Sequence, residues 1–179
     1  MSHKTFEEFL GESPMIIDNI NVKYISRKLI SPIQEGLYKR KFTKTTNKNI
    51  YEYTTPSKTV MVYSEKYPTH FSDIIGGALF EPYSKCGAEG LICSCSKKFS
   101  ADYSNILLEI FKCISENELF IMTDEEHTHV SKYLWSKWIS QGEAKDVHYF
   151  NKEDCSEINP DYVWGKMGMH KNRAIIAKF

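Results

Sequence analysis

The chain has 179 residues, of which 41% are hydrophobic and 13% aromatic, and its 23 basic and 23 acidic side chains cancel. This composition excludes the disordered class, and no apolar run approaches the roughly 18 residues that a membrane-spanning helix needs. A chain of this length can bury a sizeable core, so we predict a single domain over residues 1–179.

The N-terminus and the cysteines together indicate a compartment. The first ten residues lack the basic-then-apolar pattern of a signal peptide, and Thr5 and Glu8 instead have the spacing of a helix capping box. The chain has five cysteines, an odd number, and most of them fall in strand or helix patterns. We therefore expect reduced thiols and a cytoplasmic protein.

The first half of the chain predicts β-structure. Polar residues at 45–49 indicate a hairpin turn, and Pro82 indicates a loop. Residues 69–75 predict a short helix that Gly76 and Gly77 would end. The predicted strands are the runs rich in β-branched and aromatic residues at 22–25, 37–42, 50–54 and 60–63.

Residues 89–142 predict a strand, a helix, a strand and a helix, in that order. Both predicted strands are short apolar runs, and both helices show an apolar stripe at spacings of three and four. Ser100 is placed to cap the first helix, while Thr123 and Glu126 have capping-box spacing before the second. Gly142 can end the second helix in the left-handed conformation.

Two further strands are predicted at 147–150 and 174–179. Strands thus come first as a run and later alternate with helices. This order predicts an α+β fold with a mainly antiparallel sheet and helices packed on one face.

Two groups of residues suggest metal ligation, and neither has the required spacing. Cys86, Cys93 and Cys95 form a C-x6-C-x-C pattern, whereas structural zinc sites space two pairs of ligands two to four residues apart. His127 and His129 are two residues apart on a predicted helix, so their imidazoles diverge. We therefore expect no metal site and no cofactor.

A small enzyme or ligand-binding domain is the alternative to a binding protein. Cys86 lies beside Lys85, and a nearby cation can lower the pKa of a thiol. His148 could serve as its base, and the loop at 162–173 combines basic and aromatic side chains that could hold an anion. No local signature supports such a site, so we assign no catalytic residue.

Charge is distributed unevenly along the sequence. Residues 22–58 hold nine basic and two acidic side chains, a net of +7, whereas residues 102–126 have a net of −6 and residues 143–157 a net of −3. If these segments form separate surfaces, their fields would steer charged partners. The acidic residues predicted to bind a partner are Glu116, Glu118, Asp124, Glu125, Glu126, Asp146, Glu153 and Asp154.

The basic stretch 22–58 also leaves nucleic-acid binding open. Five aromatic residues interleave with its lysines and arginines, and such side chains can stack on bases. A pI near 7.0 and the lack of a known nucleic-acid signature make this interpretation the less favoured one. The aromatic residues are Tyr24, Tyr38, Phe42, Tyr51 and Tyr53.

In its small size, its Lys-, Asn- and Ile-rich composition and its α+β layout, the whole chain resembles the bacterial immunity proteins of contact-dependent growth inhibition toxin systems. The resemblance implies a non-catalytic inhibitor that binds one basic protein partner, such as a nuclease toxin. It implies no association with a membrane. Charge steering would bring the toxin in, and buried Tyr or Trp anchors would hold it.

Overall fold

The structure is a computed structural model, and it describes residues 15–17, 20–22, 27–86, 88–98, 105–116, 119–123, 129–163 and 172–179. Within these ranges the chain forms helices and a mainly antiparallel sheet, which confirms the predicted α+β class. None of the described helices has the length and apolar character needed to cross a bilayer. The described α-helices are α1 (Arg27–Tyr38), α2 (Ile106–Ser115) and α3 (His129–Ser140).

Ten strands are described, and eight of them form one sheet in the order β3-β4-β5-β6-β7-β8-β10-β9, while β1 and β2 form a separate antiparallel pair. Strand β8 pairs in parallel with β7 and antiparallel with β10. The strands are β1 (Met15–Ile17), β2 (Ile20–Val22), β3 (Thr43–Lys44), β4 (Ile50–Thr55), β5 (Lys58–Tyr63), β6 (Gly76–Lys85), β7 (Ala88–Lys98), β8 (Phe120–Met122), β9 (Lys145–Asn151) and β10 (Arg173–Lys178).

Backbone contacts divide the chain into two compact units. Unit 1 contains Met1–Leu79 and Cys95–Cys113, and unit 2 contains Phe80–Ser94 and Ile114–Phe179. Strands β6 and β7 contribute residues to both. A single folding domain over residues 1–179 stays a prediction.

The core of unit 1 forms where α1 packs on the β4–β5 hairpin. Leu29, Ile30 and Ile33 recur at helical spacing and are at most 1% exposed. Burying one such side chain contributes about 2 kcal/mol. Since three of them face the hairpin, packing holds α1 in place. The remaining buried members of this core are Phe42, Tyr51, Tyr53, Val60, Val62, Phe71, Ile74 and Leu79.

The strand predicted at 37–42 is wrong, because α1 continues to Tyr38. The β-propensity of Tyr38 is outweighed by burial of the apolar stripe that precedes it on the same helix. Gly36 lets the helix come close to the core, since a Cβ there would lie 2.7 Å from Cε2 of Phe42.

Helix α1 ends in a Schellman motif. The N–H of Arg40 donates to the carbonyl of Leu37 at 3.1 Å, and the N–H of Lys41 donates to the carbonyl of Gly36 at 3.0 Å. Arg40 has a φ of 50°. This left-handed position usually belongs to glycine, because a Cβ there costs about 1 to 2 kcal/mol.

The sequence predicts that Gly76 and Gly77 end a short helix and that Pro82 lies in a loop, but all three residues lie within β6. Ala78, Leu79 and Phe80 are at most 3% exposed, so their burial favours a strand across the glycines. The short helix expected at 69–75 is present as a 3₁₀ helix at Phe71–Asp73. The predicted strands at 50–54 and 60–63 are confirmed as β4 and β5.

The order strand, helix, strand, helix over residues 89–142 is confirmed by β7, α2, β8 and α3. Gly142 follows α3 with a φ of 71°, as its predicted capping role requires. The predicted strands near the C-terminus are confirmed as β9 and β10. The predicted caps Ser100 and Glu126, and the N-terminal helix, lie outside the described residues.

Gly90 permits the parallel pairing of β7 with β8. It lies opposite Phe120, and a Cβ at position 90 would be 2.3 Å from the carbonyl oxygen of Phe120. No side chain fits at that distance, so the two strands pair here only because residue 90 is glycine.

Gly90→Ala should lower the free energy of unfolding by about 3 kcal/mol, because the added methyl group pushes β8 away from β7. Gly142→Ala is the control, because a Cβ at position 142 would have no atom within 4 Å. Its left-handed backbone alone should lower the free energy of unfolding by about 1 kcal/mol. Urea titration measures both variants. An equal loss in the two would contradict the close approach at Gly90.

Asp73 fixes the turn that leads into β6. Burial raises the pKa of its carboxyl, which is 9% exposed, but its partners outweigh burial and hold that pKa well below the ordinary value. These partners are Lys66 Nζ at 2.9 Å, the N–H groups of Thr69 and His70 at 3.0 Å, and the Thr69 hydroxyl at 3.1 Å.

Asp73→Asn should lower the free energy of unfolding by about 2 kcal/mol at neutral pH, because a carboxylate with several donors is lost. The folded pKa lies below the unfolded one, so wild type has this stabilisation above about pH 4 and loses it as the pH falls further. The difference between the two proteins should therefore shrink in acid.

The exposed carboxylate of Asp161 supplies the control, since Asp161→Asn should change the free energy of unfolding by less than about 0.5 kcal/mol. Denaturant melts from pH 7 down to pH 3 measure the effect. A difference between wild type and Asp73→Asn that stays constant over this range would contradict the assignment.

Candidate functional site

The segment after β9 folds back on the edge of that strand. The N–H of Asn151 donates to the carbonyl of Ser156 at 2.9 Å, and the N–H of Ile158 donates to the carbonyl of Tyr149 at 3.0 Å. Phe150 and Glu157 form an antiparallel bridge. We call residues 152–161 the acidic loop. These hydrogen bonds attach the loop to the edge of β9.

A disulfide ties the acidic loop to the turn between β6 and β7. Cys155 is bonded to Cys86; their Cα atoms are 5.2 Å apart, and the two residues are 69 positions apart in sequence. Both residues have positive φ, 61° for Cys155 and 58° for Cys86. Few L residues adopt this conformation, so the local geometry is held by the surrounding bonds.

Side-chain acceptors fix the rest of the acidic loop. Oδ1 of Asn151 accepts the N–H of Glu153 at 2.8 Å, and Oδ1 of Asn159 accepts the N–H of Asp161 at 2.9 Å. Oδ1 of Asp154 accepts both the N–H of Ser156 at 3.0 Å and its hydroxyl at 2.7 Å. Such side-chain-to-backbone bonds are typical of rigid turns.

These bonds also keep the acidic loop negative. The backbone N–H of Ser156, followed by its hydroxyl, lowers the pKa of Asp154 below its ordinary value. Three further carboxylates, on Glu153, Glu157 and Asp161, are exposed in the same loop. With Lys152 as the only cation among residues 152–161, the loop has a net charge of −3.

The predicted partner-binding residues fall into three groups. Glu153 and Asp154 lie together in the acidic loop. Glu116 follows α2 and Asp146 lies in β9, both exposed. The third group, Glu118, Asp124, Glu125 and Glu126, lies outside the described residues.

Asp146 differs from the acids of the loop in its surroundings. It has a φ of 49°, at a point where the pairing of β9 with β10 shifts register. Its carboxylate is 3.8 Å from Nζ of Lys178, so part of its charge is neutralised. Asp146 is therefore a weaker candidate for partner binding than the loop residues.

Sequence reasoning did not single out Glu157 and Asp161. Both belong to the described acidic loop, and both follow an Asx-type turn acceptor. The signal was present as an alternation of acids with Asn, Ser and Pro, which favours turns.

The prediction of reduced cysteines is wrong for Cys86 and Cys155. Disulfides persist in oxidising environments, so the cysteines no longer support a cytoplasmic address. Cys93 and Cys113 are buried and form no disulfide, and Sγ of Cys113 donates to Oγ1 of Thr45 at 3.3 Å. The pairing had no sequence signal, because spacing alone does not determine connectivity.

The disulfide also changes the alternative catalytic interpretation. Because Sγ of Cys86 is bonded to Cys155, it offers no thiolate nucleophile in this form. His148 lies exposed on β9, while His127 and most of the 162–173 loop lie outside the described residues. In the described part of the chain, no three His, Cys, Asp or Glu side chains converge as a metal site requires.

The aromatic side chains of the basic stretch are mostly unavailable for stacking. Phe42, Tyr51 and Tyr53 are at most 7% exposed, so the prediction that they could contact bases is wrong for these three. Tyr38 is 90% exposed, and Tyr24 lies outside the described residues.

No protein-family model, curated protein or solved structure matches the chain.

Replacing both Cys86 and Cys155 by serine should lower the free energy of unfolding by about 2 to 4 kcal/mol, because the unfolded chain loses a long closed loop. The difference should vanish when a dithiol reductant is added to both proteins, which is the internal control. Alkylation of denatured, unreduced wild type should leave Cys86 unmodified. A labelled Cys86 would contradict the disulfide.

Proposed function

We propose that the chain is a non-catalytic binding protein whose acidic loop docks on a basic protein partner, as an immunity-type inhibitor of a nuclease toxin does. The observation that carries the proposal is the fixed geometry of four exposed carboxylates in one loop, tied down at Cys155. This arrangement supports a binding role because the charges are concentrated and already in place.

The rigidity of the loop bears directly on affinity. Ordering a flexible segment costs about 1 to 2 kcal/mol for each backbone residue fixed. In the acidic loop, the disulfide and the turns at Asn151, Asp154 and Asn159 have already ordered the chain before a partner arrives. A partner therefore gains contacts without that entropic cost.

The mechanism of inhibition would be stoichiometric and electrostatic. A nuclease presents lysines and arginines to the phosphates of its substrate, and carboxylates on the acidic loop would pair with those same groups. Tyr133, which is 66% exposed on α3 of the same unit, is a candidate aromatic anchor of the kind that dominates interface energetics.

A cytoplasmic site of action belongs to this proposal. The observation that weighs against it is the Cys86–Cys155 disulfide, since glutathione and thioredoxin keep most cytosolic thiols reduced. The N–H groups of Asn151 and Ile158 donate to the backbone carbonyls of Ser156 and Tyr149, and neither cysteine takes part in these two hydrogen bonds. They support a folded loop in the reduced chain as well.

The proposal predicts that the reading frame adjacent to that of this chain encodes a nuclease domain, and the test uses that domain. We expect a one-to-one complex in which cleavage of nucleic acid by the toxin is blocked. Glu153→Lys with Glu157→Lys should slow association by about 10- to 100-fold at low salt and weaken its salt dependence. Stopped-flow fluorescence measures both quantities.

The control is Glu52→Lys with Glu109→Lys, which makes the same change in charge within unit 1. It should slow association clearly less than the pair in the acidic loop, because it changes the net charge equally but leaves the carboxylates of the acidic loop in place. Equal slowing by both pairs of substitutions would contradict docking at the acidic loop. Failure of the neighbouring nuclease to bind would overturn the inhibitor role.

A further inference from the structure

We propose that unit 1 contains a second binding surface, for single-stranded nucleic acid, at the C-terminal end of α1. The surface consists of Tyr38, Arg40, Lys41 and Lys44, which we call the basic corner. The four residues lie within seven positions of the sequence, so their proximity does not depend on long-range packing.

The Schellman motif presents these side chains together. It turns the chain sharply between the end of α1 and the start of β3, with Lys41 N–H bonded to the Gly36 carbonyl at 3.0 Å. Phe42 points into the core at 4% exposure, while Arg40, Lys41 and Lys44 are exposed. The buried ring of Phe42 therefore holds the turn against the core, while the cations on either side of it in sequence face solvent.

Residues 38–48 include no acid, and five of the eleven are basic. The described acids near this segment include Glu35, Glu52 and Glu109, and Oε2 of Glu109 accepts a hydrogen bond from Nδ2 of Asn47 at 3.4 Å. Glu35 is occupied, because it accepts hydrogen bonds from Lys39 Nζ at 2.5 Å and from the Tyr53 hydroxyl at 3.1 Å. Glu52 lines an open groove of about 400 Å³ together with Lys41. The five cations of residues 38–48 outnumber these three acids, so the net charge of this group of residues is positive.

Tyr38 selects nucleic acid over other polyanions. Its side chain is 90% exposed, the largest exposure among the described large hydrophobic residues. A tyrosine ring beside cations can stack on a base while the cations contact phosphates, and stacking of this kind contributes to binding of single strands. Poly-glutamate and free phosphate have no flat ring system to use this face.

Arg40 gives independent support. Arg40 has a φ of 50° and occupies the position that is usually glycine in helices that end in a Schellman motif. A residue held at a strained backbone position points to a role other than stability. A guanidinium here can contact a phosphate with two parallel hydrogen bonds.

This surface does not rest on the acidic loop. The two have opposite charge and belong to different units, so each can fail without the other. If the variant Glu153→Lys with Glu157→Lys still binds nucleic acid, the result supports binding at the basic corner and does not count against the inhibitor role.

The experiment measures fluorescence anisotropy of labelled oligo(dT) and oligo(U), each about 12 nucleotides long, with the full chain. Wild type should bind both, with an affinity that falls steeply between about 50 and 200 mM salt. Lys41→Glu should weaken binding and reduce the slope of log affinity against log salt by about 0.7 or more, because at least one phosphate contact is lost.

Tyr38→Ala should weaken binding by about tenfold with the salt slope unchanged, because stacking is lost but no cation is. Tyr38→Phe should bind like wild type, since the ring is retained. Arg40→Gly should weaken binding while raising Tm by about 2 to 4 °C, because the backbone strain is relieved. This variant separates a loss of contact from a loss of folding.

Lys132→Glu on α3 is the matched control, with the same change in charge at an exposed lysine of unit 2. It should leave affinity within about twofold of wild type. The proposal is overturned if neither oligonucleotide binds at about 50 mM salt. It is also overturned if Tyr38→Ala binds like wild type, if Lys132→Glu weakens binding as much as Lys41→Glu, or if poly-glutamate competes as well as unlabelled oligo(dT).

Discussion

The Cys86–Cys155 disulfide is the constraint on which the candidate site depends. It joins the turn that follows β6 to a loop that follows β9, two segments 69 positions apart in sequence. With this bond in place, the short-range hydrogen bonds of the loop hold four carboxylates in one arrangement. Without it, the loop has only its base on β9 and its own turns to order it, so its entropy in the unbound protein would be higher.

A net charge of zero conceals two surfaces of opposite sign. The acidic loop in unit 2 has a net charge of −3, whereas the eleven residues around the basic corner in unit 1 contain five cations and no acid. Each surface is built on a strained backbone position, Cys155 in one and Arg40 in the other. Positions of this kind cost stability and are typical of functional sites, which is why both surfaces merit direct binding measurements.

Local signals determined how much of the fold could be predicted. The block from β7 to α3 was predicted because its caps and apolar stripes agree, and Gly142 has the left-handed φ that its position implied. Helix α1 was missed because Tyr38 favours a strand, and strand β6 was missed because Gly76 disfavours one. In both places burial of neighbouring side chains outweighs the preference of the single residue. The disulfide could not have been predicted, since Cys86 has no sequence signal that selects Cys155 over the other cysteines.

The central claim is that the acidic loop is ordered before any partner binds. Amide hydrogen exchange on the unbound protein tests it most directly, since the N–H groups of Asn151, Cys155 and Ile158 are all hydrogen-bonded to backbone carbonyls. In the oxidised chain these amides should exchange at least about 100-fold more slowly than in an unstructured peptide, and a dithiol reductant should speed them. Exchange at the unstructured rate in the oxidised, unbound protein would contradict the account.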